Sequence, residues 1–325
     1  MATAAGVAAF LQMDVNEQLR IILNTWAEYL ASPASVSVLT SDADGWLSKE
    51  ALGAMTEVAG MSFADAFVCE PGEPGYGYHS WDDFFTRTFK PGVRPVAYPD
   101  NSPVIANACE SGTYRIVNDV KPHDQFWIKE QPYSLFEMLN NDQYAPQFVG
   151  GTIYQAFLSA LSYHRWHSPV TGTVAKVVQI PGTYYAENYW EGFANLTGPD
   201  PSAPNNSQAY ICEVATRALI FIQADDPRIG LMAVLEVGMA EVSSCEVFVK
   251  EGQKIKKGDE IGTFHFGGST HCLIFRPEVQ LKFITQGPPF PEANVKVCSA
   301  LAVVVGDVKK DGTAVDILSR LQGSQ

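Results

Sequence analysis

The sequence predicts an α+β fold: a helical segment over residues 1–92, then a mostly antiparallel β core, sandwich- or barrel-like, over residues 93–325. Three observations lead there. Asn16 to Ala31 places Leu19, Ile22, Leu23, Trp26 and Leu30 at three- and four-residue spacing, the period of an amphipathic helix. From Val104 onward the apolar residues gather in short β-branched and aromatic runs. The 26 Gly and 20 Pro supply the turns that many short strands require.

In order along the chain, Pro33 closes the first helix. Ser41-Asp42-Ala43-Asp44-Gly45-Trp46 looks like half of a calcium loop. With Gly45 as the turn glycine, however, Thr40 and Ala51 fall where the first and last carboxylates are needed, so it reads as a turn before a helix over Lys49 to Ala59. Glu70 to His79 is a Pro/Gly/Tyr loop. Ser80-Trp81-Asp82-Asp83 has capping-box form and opens a short helix through Phe85 to Phe89, and Ser134-Leu135-Phe136-Glu137 repeats that form for a helix to about Asn140. The periodicity of Thr152 to Ser159 fits a strand or the start of a helix. Tyr184 to Gln208, rich in Asn, Pro, Gly and aromatics, is a long excursion of the kind that forms a functional lid or stays disordered. Ala218 to Ala224, Leu231 to Val237 and Val242 to Val249 are strand candidates. Glu251 to Gly262 resembles the hairpin of lipoyl-type sandwiches but shows no modifiable Lys at a tight turn, so it is scaffold.

Composition narrows the function. A formal charge of −14 disfavours nucleic acid and anionic lipid surfaces as partners. No run of 18 apolar residues is present, and Met1 to Gln12 has no basic n-region, so neither stable membrane anchoring nor secretion is expected. The six cysteines are scattered without a Cys-x-x-Cys pair, which argues against a zinc site and against a disulfide framework. A cytoplasmic protein with free thiols is the expectation.

Chemistry concentrates in two stretches. Phe264-His265-Phe266-Gly267-Gly268-Ser269-Thr270-His271-Cys272-Leu273-Ile274-Phe275 is a β-rich run broken by a Gly-Gly kink that presents a Ser. The glycines permit backbone shapes closed to other residues and leave the Gly268 carbonyl approachable by the hydroxyl of Ser269, provided a base takes its proton. Alone, the stretch reads first as a glycine bulge between strands. Upstream, Tyr163-His164-Arg165-Trp166-His167-Ser168-Pro169 holds two of the chain's six His, three apart, a spacing that fits one helical turn. A nucleophile, a base and an orienting acid form the generalised triad.

Together with Trp81-Asp82-Asp83-Phe84-Phe85-Thr86-Arg87, Lys90 to Val96 and Asn107-Ala108-Cys109-Glu110-Ser111-Gly112, these stretches resemble the phosphatidylserine decarboxylase family. They are closest to its soluble fungal branch, which includes L-tryptophan decarboxylase. The resemblance runs from Trp26 through most of the chain. It implies self-cleavage between Gly268 and Ser269, with His167 as the base that activates Ser269. It places Glu110 where most of the family has an Asp, as the group orienting that base. The residues of the 81–96 stretch mostly cap and pack, so Arg94 is given no chemical role. The released second fragment, Ser269 to Gln325, begins with a pyruvoyl group derived from Ser269, and the two fragments stay associated. That ketone serves as electron sink as CO2 leaves, with no metal and no PLP, and His164 gives the proton that replaces the carboxylate.

The substrate expected from this branch and from the −14 charge is a free L-amino acid with a bulky aromatic side chain: tryptophan, phenylalanine or tyrosine. Phe266, Tyr184, Tyr185 and Trp190 are candidates to wall its pocket, with Tyr189 and Phe193 beside them. Other readings stay open on the residues alone. One is a phosphatidylserine decarboxylase that meets its lipid through a partner. Another is a binding or scaffold protein that keeps the fold and never cuts, as the Glu in place of Asp allows. A conventional Ser hydrolase lacks its Gly-x-Ser-x-Gly elbow.

Overall fold

The computed structural model describes residues 3–100, 102–123, 133–188, 203–241, 244–284 and 294–305. The helices are α1 (Ala4–Phe10), α2 (Met13–Leu30), α3 (Lys49–Ala59), α4 (Phe63–Ala66), α5 (Trp81–Phe85), α6 (Leu135–Met138), α7 (Ala203–Asn206) and α8 (Gln208–Val214). The strands are β1 (Val104–Ala106), β2 (Ser111–Val117), β3 (Thr152–Leu158), β4 (Arg165–His167), β5 (Gly172–Ile180), β6 (Arg217–Ala224) and β7 (Leu231–Gly238). They continue with β8 (Cys245–Val247), β9 (Lys254–Ile255), β10 (Glu260–Phe264), β11 (Ser269–Phe275), β12 (Leu281–Phe283), β13 (Asn294–Val295) and β14 (Ala300–Val304).

One antiparallel sheet of order β13-β2-β3-β11-β7-β6-β5-β9 dominates, with two three-stranded sheets, β1-β14-β12 and β4-β10-β8, packed against it. Alternate residues of a strand face opposite sides, and here both sides are dry. Tyr154, Val234, Leu273 and Phe275 meet Trp166, Phe264, Ile105 and Leu301 of the small sheets. The intervening Ile153, Leu235, Cys272 and Ile274 meet Leu135 and Met138 of α6 and Ile211 of α8. That explains why β3, β7 and β11 are buried along their whole length. The sandwich is therefore real, but among the described residues no sheet closes into a barrel. The edges β13 and β9 are two residues each, too short to meet and seal a cylinder.

The N-terminal helices form a cluster of their own around Leu23, Leu30, Phe63, Phe84 and Phe85, which also takes in Tyr163, Phe266 and Val297 of the β core. Local chemistry explains the element ends. Ser48 Oγ accepts from Ala51 N–H to start α3, and Gly60, at φ 73°, ends it. Ser80 Oγ caps α5 through Asp83 N–H, and Asp83 reaches back to His79 N–H. That helix stops at Phe85, because the chain turns extended to bridge Phe67 and Phe89. α6 begins without a cap from the Ser134 side chain.

Two expectations change. α2 leaves Ile22 largely and Trp26 nearly half exposed, while Leu23 and Leu30 of the expected stripe are buried and Leu19 packs partly against them. The His pair lies on a strand edge rather than a helical turn: His164 precedes β4, and His167 ends it, held by pairing with β10. Much of the excursion (189–202) lies outside the described residues.

Candidate active site

β11 runs through the middle of the large sheet, registered over seven residues with β3 and with β7. Ser269 is its first residue, opposite Leu158 on one side and Gly238 on the other. The turn that delivers the chain into it is abnormal. Phe266 holds φ 20° and Gly267 φ 97°, the latter a conformation that only glycine adopts cheaply. Past that turn the Gly268 carbonyl accepts from Met239 N–H at 3.2 Å. Ser269 Oγ is fully buried and has no hydrogen-bond partner. A hydroxyl without a partner thus sits next to a carbonyl already polarised by a backbone donor, the pair that attack on a peptide bond requires.

The two histidines differ sharply. His167 uses both ring nitrogens: Nδ1–H donates to the Gly258 carbonyl at 2.8 Å, and Nε2 accepts from the Tyr163 hydroxyl at 2.8 Å. A carbonyl only accepts, so the proton is on Nδ1 and the basic lone pair is on Nε2. Burial lowers the His167 pKa, with the Gly258 carbonyl working against it. His164 is wholly buried, stacks on Phe85 with ring centroids 4.1 Å apart, and neither ring nitrogen has a partner. Burial, and next the Arg87 guanidinium, push its pKa down to about 3, so it is neutral at ordinary pH.

Glu110 is buried, but its carboxylate does not engage His167. Oε1 accepts from Arg94 Nη2 (2.7 Å) and Asn294 Nδ2 (2.8 Å), and Oε2 from Arg94 Nε (3.0 Å) and Val297 N–H (2.8 Å). The acceptor that holds the His167 tautomer is the Gly258 carbonyl instead.

A cavity of about 470 Å³ opens beside the turn, walled by Trp26, Trp46, Trp81, Phe85, Phe266 and Gly267, with Glu241 as a charged lining residue. Of the expected pocket residues, Phe266 is here. Tyr184 is buried elsewhere, its N–H on Asn16 Oδ1 at 2.8 Å. Tyr185 lines a second cavity of about 460 Å³ with Phe10, Leu19 and Met239. Trp190, Tyr189 and Phe193 lie outside the described residues.

Several participants were not singled out from the sequence. Met239 acts through its backbone and Gly258 through its carbonyl, neither of which a side-chain pattern reveals. Arg87, buried against the Phe67 ring at 4.5 Å, donates to the Leu161 and Ser162 carbonyls and fixes the turn leading to His164. Trp26 was legible only as a helix-face residue.

Residues 81–297 match the phosphatidylserine decarboxylase family, and residues 1–55 match a second family of that description. The chain is 45% identical over 292 residues to the decarboxylase iboD of Amanita muscaria, covering 86% of this chain and 82% of that protein. It is 39% identical over 303 residues to the L-tryptophan decarboxylase of Psilocybe cubensis, covering 87% and 67%. The phosphatidylserine decarboxylase proenzyme 3 of Schizosaccharomyces pombe is 32% identical over 221 residues, covering 67% of this chain and 21% of that one.

Proposed function

The chain belongs to the phosphatidylserine decarboxylase family and is a decarboxylase, a carbon–carbon lyase; from that premise we propose that it decarboxylates a free aromatic L-amino acid, using a pyruvoyl group made from Ser269 by cutting its own chain after Gly268. The observation that supports this most directly is the cavity of about 470 Å³ whose aromatic wall ends at Gly267, next to the bond to be cut. Three Trp and two Phe suit a flat apolar ring, and Glu241 offers a countercharge for an ammonium group. The L-tryptophan decarboxylase of Psilocybe cubensis acts on such a substrate. No helix among the described residues is long and apolar enough to cross a membrane. A charge of −14 also fits a small soluble substrate in the cytoplasm better than an anionic lipid.

The group would form from the chain itself, with His167, which is bonded to Tyr163 and Gly258 in the structure, coming to Ser269 as its base. Ser269 Oγ attacks the Gly268 carbonyl carbon, His167 Nε2 takes the hydroxyl proton once Tyr163 releases it, and Met239 N–H stabilises the oxyanion. The peptide bond becomes an ester, elimination across Cα–Cβ frees the Gly268 carboxylate, and hydrolysis with loss of ammonia leaves the keto group. When present, that group supplies a ketone that draws electrons as CO2 leaves. His164, neutral and buried beside Phe85, is the candidate donor that returns a proton to the substrate carbon through its ring N–H. The helical segment up to residue 92 walls the pocket, and the β domain from 93 holds the cleaving turn. The fragments stay together because β11 belongs to the second fragment yet pairs on both sides with strands of the first.

The test is CO2 release from tryptophan, phenylalanine and tyrosine beside phosphatidylserine liposomes, with intact-mass analysis of both fragments. Turnover of a free aromatic amino acid and a blocked pyruvoyl terminus at position 269 are expected. Activity on liposomes alone overturns the substrate, and an intact 268–269 bond in active protein overturns the cofactor.

A further inference from the structure

The inner face of the large sheet carries three ligating side chains that the chemistry above does not use. His271 lies two residues beyond Ser269 on β11 and is paired directly with Glu236 on β7, so both point to the side that Ser269 faces. Cys109, in the segment between β1 and β2, comes down on them, its Sγ 3.6 Å from each carboxylate oxygen of Glu236. One ring nitrogen of His271, the Cys109 sulfur and a Glu236 oxygen all lie within 4.8 Å of one another, and all three residues are fully buried.

Such a trio is costly in a dry sandwich unless something of opposite charge joins it. Among the described residues the Glu236 carboxyl has only the Cys109 thiol as a partner, and no cationic side chain reaches it. The imidazole is arranged for a ligand. Ser111 donates its hydroxyl proton to the Cys109 carbonyl (3.1 Å) and stands 3.1 Å from His271 Nε2, so it accepts from Nε2–H. The lone pair is therefore on Nδ1, which is buried with no partner. An outer hydroxyl that fixes the tautomer in this way is the usual support of a metal-bound His.

We propose that Cys109 Sγ, a Glu236 carboxylate oxygen and His271 Nδ1 bind one zinc ion in the core of the sheet. Tetrahedral zinc with Zn–S of about 2.3 Å and Zn–O of about 2.0 Å sets sulfur and oxygen about 3.5 Å apart, against the 3.6 Å found. The mixed S, O and N set suits zinc rather than magnesium or calcium. Burial pushes the Cys109 thiol and the Glu236 carboxyl well up and the His271 imidazole down to about 3. A dication makes the ionised thiolate and carboxylate tenable, while the neutral imidazole is already the ligand form. Because all three residues are fully buried, the ion enters as the chain folds. It ties the segment holding Cys109 and Glu110 to the two strands that flank the cleaving turn.

The full-length protein, purified from zinc-replete cells, is dialysed against EDTA and its metal measured by plasma mass spectrometry. About one zinc per chain is expected, retained while the protein is folded and released on unfolding. Cys109→Ala and His271→Leu should each reduce it to about a tenth or less, as the loss of one of three ligands predicts. Because both substitutions also alter the packed core, the wild-type chain is refolded with Co2+ as well, where thiolate-to-cobalt charge-transfer absorption is expected. Folded wild-type protein free of zinc and giving no cobalt–thiolate band overturns the site. Neither measurement depends on decarboxylation or on self-cleavage.

Discussion

Replacing Glu110 separates two roles for it: orienting a base, or latching two parts of the chain. The carboxylate accepts four hydrogen bonds, two of them from Arg94, and the two side chains are 1% and 4% exposed. Removing one partner of a buried ion pair leaves the other charge uncompensated, at a cost of about 3–5 kcal/mol. Glu110→Ala should therefore lower the unfolding temperature by roughly 6–10 °C, at about 2 °C per kcal/mol for a chain of this size. Arg94→Met should cost a similar amount, and the double variant less than the sum, with coupling of about 2 kcal/mol or more. The assay is thermal and urea unfolding in a Ser269→Ala background, where the chain stays in one piece, with cleavage rates measured separately with Ser269 intact. A Glu110→Ala protein that melts within about 1 °C of its parent yet never cuts itself would refute the latch. The carboxylate would then act on the imidazole, as the family resemblance implies.

Three further outcomes are expected. Ser269→Ala should leave one uncut and inactive chain by intact mass, and normal cleavage there would remove the serine as nucleophile. Trp26 is nearly half exposed and its ring lies 5.4 Å from Phe266, so Trp26→Ala should raise KM for an aromatic amino acid about fivefold, the equivalent of about 1 kcal/mol of ring contact, with kcat little changed. His265 sits between Asp82 (3.0 Å) and Glu246 (2.9 Å). Burial alone would lower its pKa, but these carboxylates outweigh that and raise it above 6.5. Its contribution to stability is thus complete below pH 6.5 and lost as pH rises through the raised value. Melting temperature should fall over that window, and Asp82→Asn should flatten the slope.

What could be read along the chain was whatever depends on neighbours. α3 was expected at Lys49 to Ala59 and occurs there, because a Ser cap and a glycine stop are local signals. β6 and β7 lie within a residue of their expected bounds for the same reason, since apolar runs between turns need no partner to be recognised. The resemblance carried by the Gly-Gly-Ser kink and the Tyr-His-Arg-Trp-His stretch likewise points to the family that the comparisons show.

Contacts across the sheet were not readable in this way. Spacing of three between His164 and His167 suits a helix, yet pairing with β10 makes it a strand and gives the two rings different surroundings. The carboxylate expected at the imidazole pairs instead with Arg94, a residue given no chemical role from the sequence. Its place at His167 is taken by a main-chain carbonyl that no side-chain motif encodes. The cavity wall draws Trp26, Trp46 and Trp81 from segments with no common motif. The scattered cysteines argue against a zinc site along the chain, yet register sets His271 opposite Glu236, and the segment between β1 and β2 carries Cys109 to within 4.8 Å of both. Propensity and capping act over a few residues, so the linear chain contains them. Pairing, burial and charge compensation act between residues a hundred or more apart, and they exist only once the sheet has formed.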